Sequence, residues 1–290
     1  MANVIQILVS GLAYGAIYAL VALGFVLIFN AVGVVNFAQG EFIMIPSFIG
    51  VTLLAAVGLP WPLAYLLVLA AMVVFGLLFN YVAFYPLRNR PYLPVVISTI
   101  GASIVLRNGA QLVFGPTPQR FPGLFTGNLS VGGVTVAQQY ILILAVTIVL
   151  LVVQYLLFER TTLGKQLQAV AQDKQMAMLL GINVAAMIAI TFIYSALLGG
   201  AAALLVAPIL TVRTSMGALI SLKAFSASII GGFGNVPGAI AGGLLVGVIE
   251  AFAGRYLNPA YTDAWAFVVL IAFLFIRPRG IFGERIAEKA

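Results

Sequence analysis

The chain has no cysteine and no histidine, and only seven carboxylates in 290 residues. Without cysteine there is no disulfide framework and no thiolate nucleophile. Without histidine the commonest general base and metal ligand is gone. Charge of both signs is scarce: 7% of residues are charged, against about 25% in soluble domains. The phosphate-cradling pattern GxxxxGK[ST] does not occur, so the chain cannot hydrolyse ATP alone. HExxH is missing too, and no aspartates pair within the apolar runs. An intramembrane enzyme lacks its parts here. The chain reads as no enzyme, with no cofactor and no metal.

What is present is apolar. Hydrophobic residues make up 63% of the chain and mean hydropathy is +1.17. This composition predicts an all-α polytopic membrane protein with about eight apolar segments, some broken or re-entrant, in one transmembrane domain over 1–290. The net charge of +7 would suggest nucleic acid for a soluble protein. Here it is better explained by orientation, and no nucleic-acid partner is expected. Nine of the 14 basic residues fall in 86–91, 159–186 and 277–290. The positive-inside rule puts all three intervals in the cytoplasm.

Residues 4–29 are uncharged, too long a run for a signal-peptide core, and read as the first span. Gly11 and Gly15 are spaced for close helix packing. Between Asn30 and Pro46 the sequence NAVGVVNFAQGEFIMIP sets Asn36, Gln39, Gly40 and Glu41 in a polar, glycine-bearing break. The apolar run that follows, 42–57, is short for a full crossing. The amino terminus is outside if this run crosses and inside if it turns back. Irregular backbone at membrane depth persists only where it is buried in protein or lines a wet cavity. Asn36, Gln39, Gly40 and Glu41 are therefore candidates for a substrate path, with an interfacial loop as the alternative.

Further spans are expected over 61–85, 92–114 and 136–158, with a loop over 115–135. In the second of these Arg107 either pairs with a buried carboxylate or, as favoured, snorkels to the interface. Residues 185–212 read as one span with a kink at Pro208. In 224–254 the run GGFGNVPG cannot be uninterrupted helix, because Pro237 and four glycines break it. Gly232, Gly234 and Asn235 are the second set of path candidates, with tight packing as the alternative. Leucine at Gly234 or Gly238 is expected to harm more than leucine at Gly76, which lies in an unbroken apolar run. Residues 264–276 form a last short segment. Only Glu41, Arg107 and Glu250 are read as ionisable groups near mid-membrane.

The longest polar interval is ERTTLGKQLQAVAQDKQMAMLLGINV, 159–184. Thr161 and Thr162 are candidate helix N-caps, Asp173 caps a second short helix, and Gly181 ends it. Leu163, Leu167, Val170 and Ala177 fall on one stripe, with Lys165 opposite. A plain connector needs only about 2–8 residues, so this length favours a docking surface for a soluble partner over a solvated link. Gly164 is read as letting a partner's groove wall approach the backbone.

Tyr18–Met44, Arg160–Val184 and Ile229–Leu245 together resemble the LivH-type permeases of bacterial branched-chain amino-acid ABC importers. The likeness spans nearly the whole chain, and the three motifs stand in the family's order. It implies a permease subunit of the bacterial inner membrane that passes hydrophobic amino acids. The implied partners are a second, LivM-like permease, two ATP-binding subunits and a periplasmic amino-acid-binding protein, with the lipid bilayer around them. It also implies that 159–184, with Thr161, Thr162, Leu163, Gly164, Lys165 and Gly181, is the coupling region for an ATPase. One departure is Gln39, where many relatives carry histidine; no titrating group stands there. The alternatives are a stand-alone secondary transporter and an ABC permease for urea or short amides.

The absence of cysteine makes orientation directly measurable. A single cysteine at Lys165 is expected to resist an impermeant thiol reagent added outside intact spheroplasts, and to react once the membrane is opened. Labelling from outside would overturn the orientation.

Overall fold

The structure is a computed structural model describing residues 2–125, 127–131 and 134–283. The described residues form eleven α-helices and one hairpin, with four short π- or 3-10-helical turns at helix ends and in loops. The order is α1 (Ala2–Val32), α2 (Glu41–Val51), α3 (Trp61–Phe79), α4 (Tyr92–Phe114), β1 (Asn128–Val131), β2 (Val134–Ala137) and α5 (Gln138–Arg160). There follow α6 (Thr162–Gln172), α7 (Lys174–Leu179), α8 (Val184–Val206), α9 (Met216–Gly231), α10 (Val236–Tyr256) and α11 (Thr262–Ile276). Among the described residues six helices are long and apolar enough to cross a membrane, and three apolar ones are shorter. The chain is an all-α polytopic membrane protein.

α1 is the axis. It packs against α10, α8, α9 and α5, and Ala16 to Leu23 are almost wholly buried within the bundle. α4 and α5 turn most of their apolar side chains outward. This is the pattern of helices facing lipid or a neighbour rather than the bundle's own centre.

Lipid is as apolar as leucine, so close packing rather than water expulsion holds such helices together. The glycines show where. A Cβ at Gly15 would lie 2.8 Å from Leu244 Cα, and one at Gly11 2.9 Å from Val248 Cα. From the other side, side chains at Gly243 and Gly247 would overlap the backbones of Ala19 and Gly15. The two glycine steps thus face each other, as the packing reading of Gly11 and Gly15 expects. A quarter-turn round α10, Gly238 and Gly242 press against Gly231 and Ala227 of α9. α10 therefore touches α1 and α9 backbone to backbone on two faces.

Several expectations need correction. The segment 185–212 is not one kinked span: α8 stops at Val206, before Pro208, and the chain turns before α9 starts at Met216. A proline cannot donate the next helical hydrogen bond, and here the helix ends instead of bending. The loop after α4 holds an antiparallel hairpin, Asn128 opposite Ala137 and Val131 opposite Val134. Gly76 is no neutral position either: a Cβ there would stand 2.8 Å from Ile193 Cα and from the Phe192 carbonyl oxygen of α8. The basic tail beyond Gly283 lies outside the described residues.

Gly247 and Gly101 make the sharper comparison, since nothing lies within 4 Å of a Cβ at Gly101. Gly247→Leu is expected to cost at least the 1–3 kcal/mol, roughly, of overpacking, seen as a lower melting temperature in detergent. Gly101→Leu is expected to stay within about 0.5 kcal/mol of the parent. Equal melting temperatures for both variants would show that the α1–α10 contact is not tight.

Candidate functional site

The first break follows from glycine. α1 ends where Gly33 takes φ +78°, a conformation open to residues without Cβ. The chain then turns back into the bundle and restarts as α2. Asn36 is 1% exposed and Gln39 wholly buried. The Asn36 carboxamide oxygen accepts from the Ala38 N–H at 3.0 Å, and Gln39 Nε2 donates to Ser195 Oγ of α8 at 3.1 Å. The single Ser195 hydroxyl proton has two alternative acceptors, Gln39 Oε1 and the Gly24 carbonyl of α1, each 3.2 Å away. Gly40 sits where α2 and α9 begin, and a Cβ there would meet the Gly217 carbonyl oxygen at 2.8 Å.

Glu41, one residue on, is also 1% exposed. Its Oε1 accepts from Ser103 Oγ at 2.8 Å and from Arg107 Nη2 at 3.0 Å. Both donors come from α4. Arg107 thus pairs with a buried carboxylate; the snorkelling reading is wrong. The reason is cost: an unpaired carboxylate at such burial is far more expensive than bending an arginine towards it. Glu41 Oε2 remains without a hydrogen-bond partner.

The second break is the one that Pro237 and its glycines announce. Gly232 and Gly234 take φ +108° and +96°. Asn235 caps α10, its Oδ1 accepting from the Gly238 N–H at 2.8 Å, and Pro237 sits in the first turn, where a missing N–H costs nothing. Asn30 Nδ2 donates to the Gly234 carbonyl at 2.8 Å. The break therefore lies against the last turn of α1. The two sets of path candidates are separate constellations, both held close to α1.

The polar interval forms α6 and α7. Thr161 Oγ1 accepts from the Gly164 N–H at 3.0 Å. Thr162 is the first helical residue, and Asp173 Oδ1 caps α7 through the Gln175 and Met176 amides at 2.8 and 3.0 Å. Gly181, at φ +81°, closes α7, with the Ile182 N–H reaching back to the Ala177 carbonyl at 3.0 Å. Leu167, Val170 and Ala177 are buried, Leu163 half-buried, and Lys165 exposed. Lys174 Nζ donates to the Val32 carbonyl at the end of α1, 3.2 Å away, and desolvation holds its ammonium below the usual lysine range. Gly164 faces inward: a side chain there would overlap Leu157 and Phe158 of α5. The close approach it permits is with its own chain. The outward surface is polar along α6 and carries an apolar patch at the end of α7, with Met178, Leu179 and Leu180 exposed by 62%, 82% and 78%.

The sequence reading passed over a cluster of ionisable residues. Lys223 of α9, in the apolar run ISLKAFSASII, is 5% exposed. It pairs with Glu250 of α10 and, at 2.6 Å, with Asp263 of α11; Tyr18 of α1 donates to Glu250 Oε2 at 2.8 Å. The available signal was the lysine itself, since a charge in such a run is costly without partners.

The family model described as "Branched-chain amino acid transport system / permease component" matches residues 7–274. The high-affinity branched-chain amino acid transport system permease protein BraD of Pseudomonas aeruginosa is 40% identical over 299 residues, covering 98% of this chain and 97% of its own. The corresponding LivH protein of Escherichia coli is 34% identical, with the same coverage of each chain. The solved structure of PsaBC from Streptococcus pneumoniae in complex with Fab matches with TM-score 0.52 over 94% of this chain and 92% of its own, at 15% identity, which speaks for the fold alone. The chain belongs to the permease-component family of branched-chain amino acid transport systems.

Proposed function

We propose that this chain is a permease subunit of an ATP-binding-cassette importer, passing branched-chain amino acids across the bacterial inner membrane while partner subunits hydrolyse the ATP. The alternatives fare worse. A stand-alone secondary transporter has no use for a built surface at α6–α7, and the relatives are not named for urea or amides. The partners are a LivM-like second permease, two ATP-binding subunits and a periplasmic amino-acid-binding protein.

The observation that carries the reading is the α6–α7 unit. It is capped at both helix starts, anchored through Leu167, Val170 and Lys174, and yet leaves Met178, Leu179 and Leu180 uncovered. Exposed clusters of large apolar side chains on an ordered element mark interaction sites. In this reading 159–184 is the cytoplasmic coupling region. Thr161, Thr162, Leu163, Gly164 and Gly181 shape it, Lys165 lies on its polar face, and the apolar rim enters a groove of an ATP-binding subunit.

The substrate path in this reading uses the two breaks, at Asn36, Gln39, Gly40 and Glu41 and at Gly232, Gly234 and Asn235. What supports it is their chemistry. Buried polar groups beside non-helical backbone are tolerated at such depth mainly where function requires them, and Glu41 keeps an oxygen unpartnered.

The test replaces Leu179 and Leu180 together by glutamate. If each side chain is an interface anchor worth about 2 kcal/mol, the ATP-binding subunits should dissociate on co-purification and uptake should collapse. Reversing the charge of Lys165 should change little, because exposed ion pairs contribute about 0–1 kcal/mol. A double variant that keeps both the ATP-binding subunits and full uptake would remove the coupling assignment.

A further inference from the structure

A cavity of about 940 Å³ lies away from both breaks. It opens at the amino-terminal end of α1, beside Asn3 and Gln6, whereas α7 is tied to the opposite end of α1 at Val32. On the transport reading, on which this inference rests, that is the side from which substrate arrives. Its size falls in the range of about 300–1,000 Å³ typical of small-molecule sites.

The lining has two characters. One wall is aliphatic, with Val206, Ile209, Leu210 and Ile220. The other carries charge of both signs. Lys223, Glu250 and Asp263 all line the cavity, and one lysine against two carboxylates leaves one negative charge over. Lys223 and Glu250 are nearly buried, but the Asp263 side chain is 62% exposed, so it is the carboxylate free to take another cation. Arg213 and Arg255 also line the cavity, and neither is ion-paired with a carboxylate of the described residues. The same space thus offers spare negative charge, spare positive charge and an aliphatic wall.

We propose that this cavity is an entry site for a zwitterionic aliphatic amino acid, whose ammonium group is taken by Asp263 beside the Lys223–Glu250 pair and whose carboxylate is taken by Arg213 and Arg255. The aliphatic side chain lies against Ile209, Leu210 and Ile220. Lys223 is a positioning residue: it holds Glu250 and Asp263 from two helices at one point, while Tyr18 fixes Glu250 from α1. Charge-assisted hydrogen bonds at both ends of the ligand would distinguish it from aliphatic acids and amines. The discrimination comes from leaving a built charge unpaired when either end is missing.

The cysteine-free chain allows a direct test. Ser10 lines the cavity and is close to cysteine in size. The assembled complex carrying Ser10→Cys, first shown to take up leucine with ATP, is labelled with a polar thiol reagent without the binding protein. Saturating leucine should slow labelling by about fivefold or more, as occupancy of a binding site requires. Leucinamide and 4-methylpentanoate, each lacking one charge, should protect far less. Adding Asp263→Asn, an isosteric change at an exposed position, should abolish protection by leucine while the unprotected labelling rate stays the same; Glu250→Gln should act alike if the protein still assembles. Labelling indifferent to leucine in a complex that still imports it would overturn the entry site and leave the transport reading intact. Equal protection by all three compounds would overturn the zwitterion assignment. Failure of the parent complex, before any substitution, to take up leucine with ATP and the loaded binding protein would overturn the transport reading instead.

Discussion

The structure depends on how closely α10 lies against its neighbours. Gly243 and Gly247 face Gly15 and Ala19 on α1, and Gly238 and Gly242 face Gly231 and Ala227 on α9. In a bilayer the hydrophobic effect does not drive helices together, so dispersion contacts between backbones must supply what water supplies elsewhere. Glycine permits that approach and is also a poor helix former, by about 1 kcal/mol relative to alanine. The two properties meet in this region. The glycines that weaken α10 sit where a tight neighbour compensates, and Gly232 and Gly234 make the break between α9 and α10. With α10 fixed to α1 and α9, the Glu250 side chain is placed against Tyr18 and Lys223, and the charged cavity follows from the packing.

Buried charge follows the same logic at two places. Glu41 and Arg107 join the start of α2 to α4, and Lys223 joins α9 to α10 and α11. The first links helices 66 residues apart; the second gathers three consecutive helices, and Tyr18 ties that cluster to α1. Removing one partner would strand the other, at a cost of several kcal/mol. Such pairs define which helices are neighbours more sharply than apolar contacts do, because an apolar side chain accepts many partners and a buried carboxylate accepts few.

Local chemistry was legible in the sequence. The caps at Thr161 and Asp173, the terminator at Gly181 and the break ahead of Pro237 all depend on residues within a few positions of one another, and the structure has them. So does the packing role of Gly11 and Gly15, whose spacing on one face is a local property. What the sequence hides is direction. Gly164 and Gly76 look like open positions, yet both meet backbone from another helix or from the preceding one. Arg107 could have turned outward to the interface; its choice of Glu41 depends on α2 starting beside α4. The cluster round Lys223 needs four helices to converge, and nothing along the chain announces that. The hairpin was missed because eight short strand residues with small polar neighbours carry little pattern of their own.

The central claim is that this chain is a conduit without an engine. It has helices to cross the membrane and, on the proposed reading, a surface for a partner at α6–α7, but no motif that binds the phosphates of ATP. The most direct measurement is uptake of labelled leucine into proteoliposomes. Vesicles holding this chain with its second permease and ATP-binding subunits, supplied with the loaded binding protein, should accumulate leucine only when ATP is available to those subunits. Vesicles holding this chain alone should accumulate none under a proton or sodium gradient. Gradient-driven accumulation by the chain alone would contradict the account.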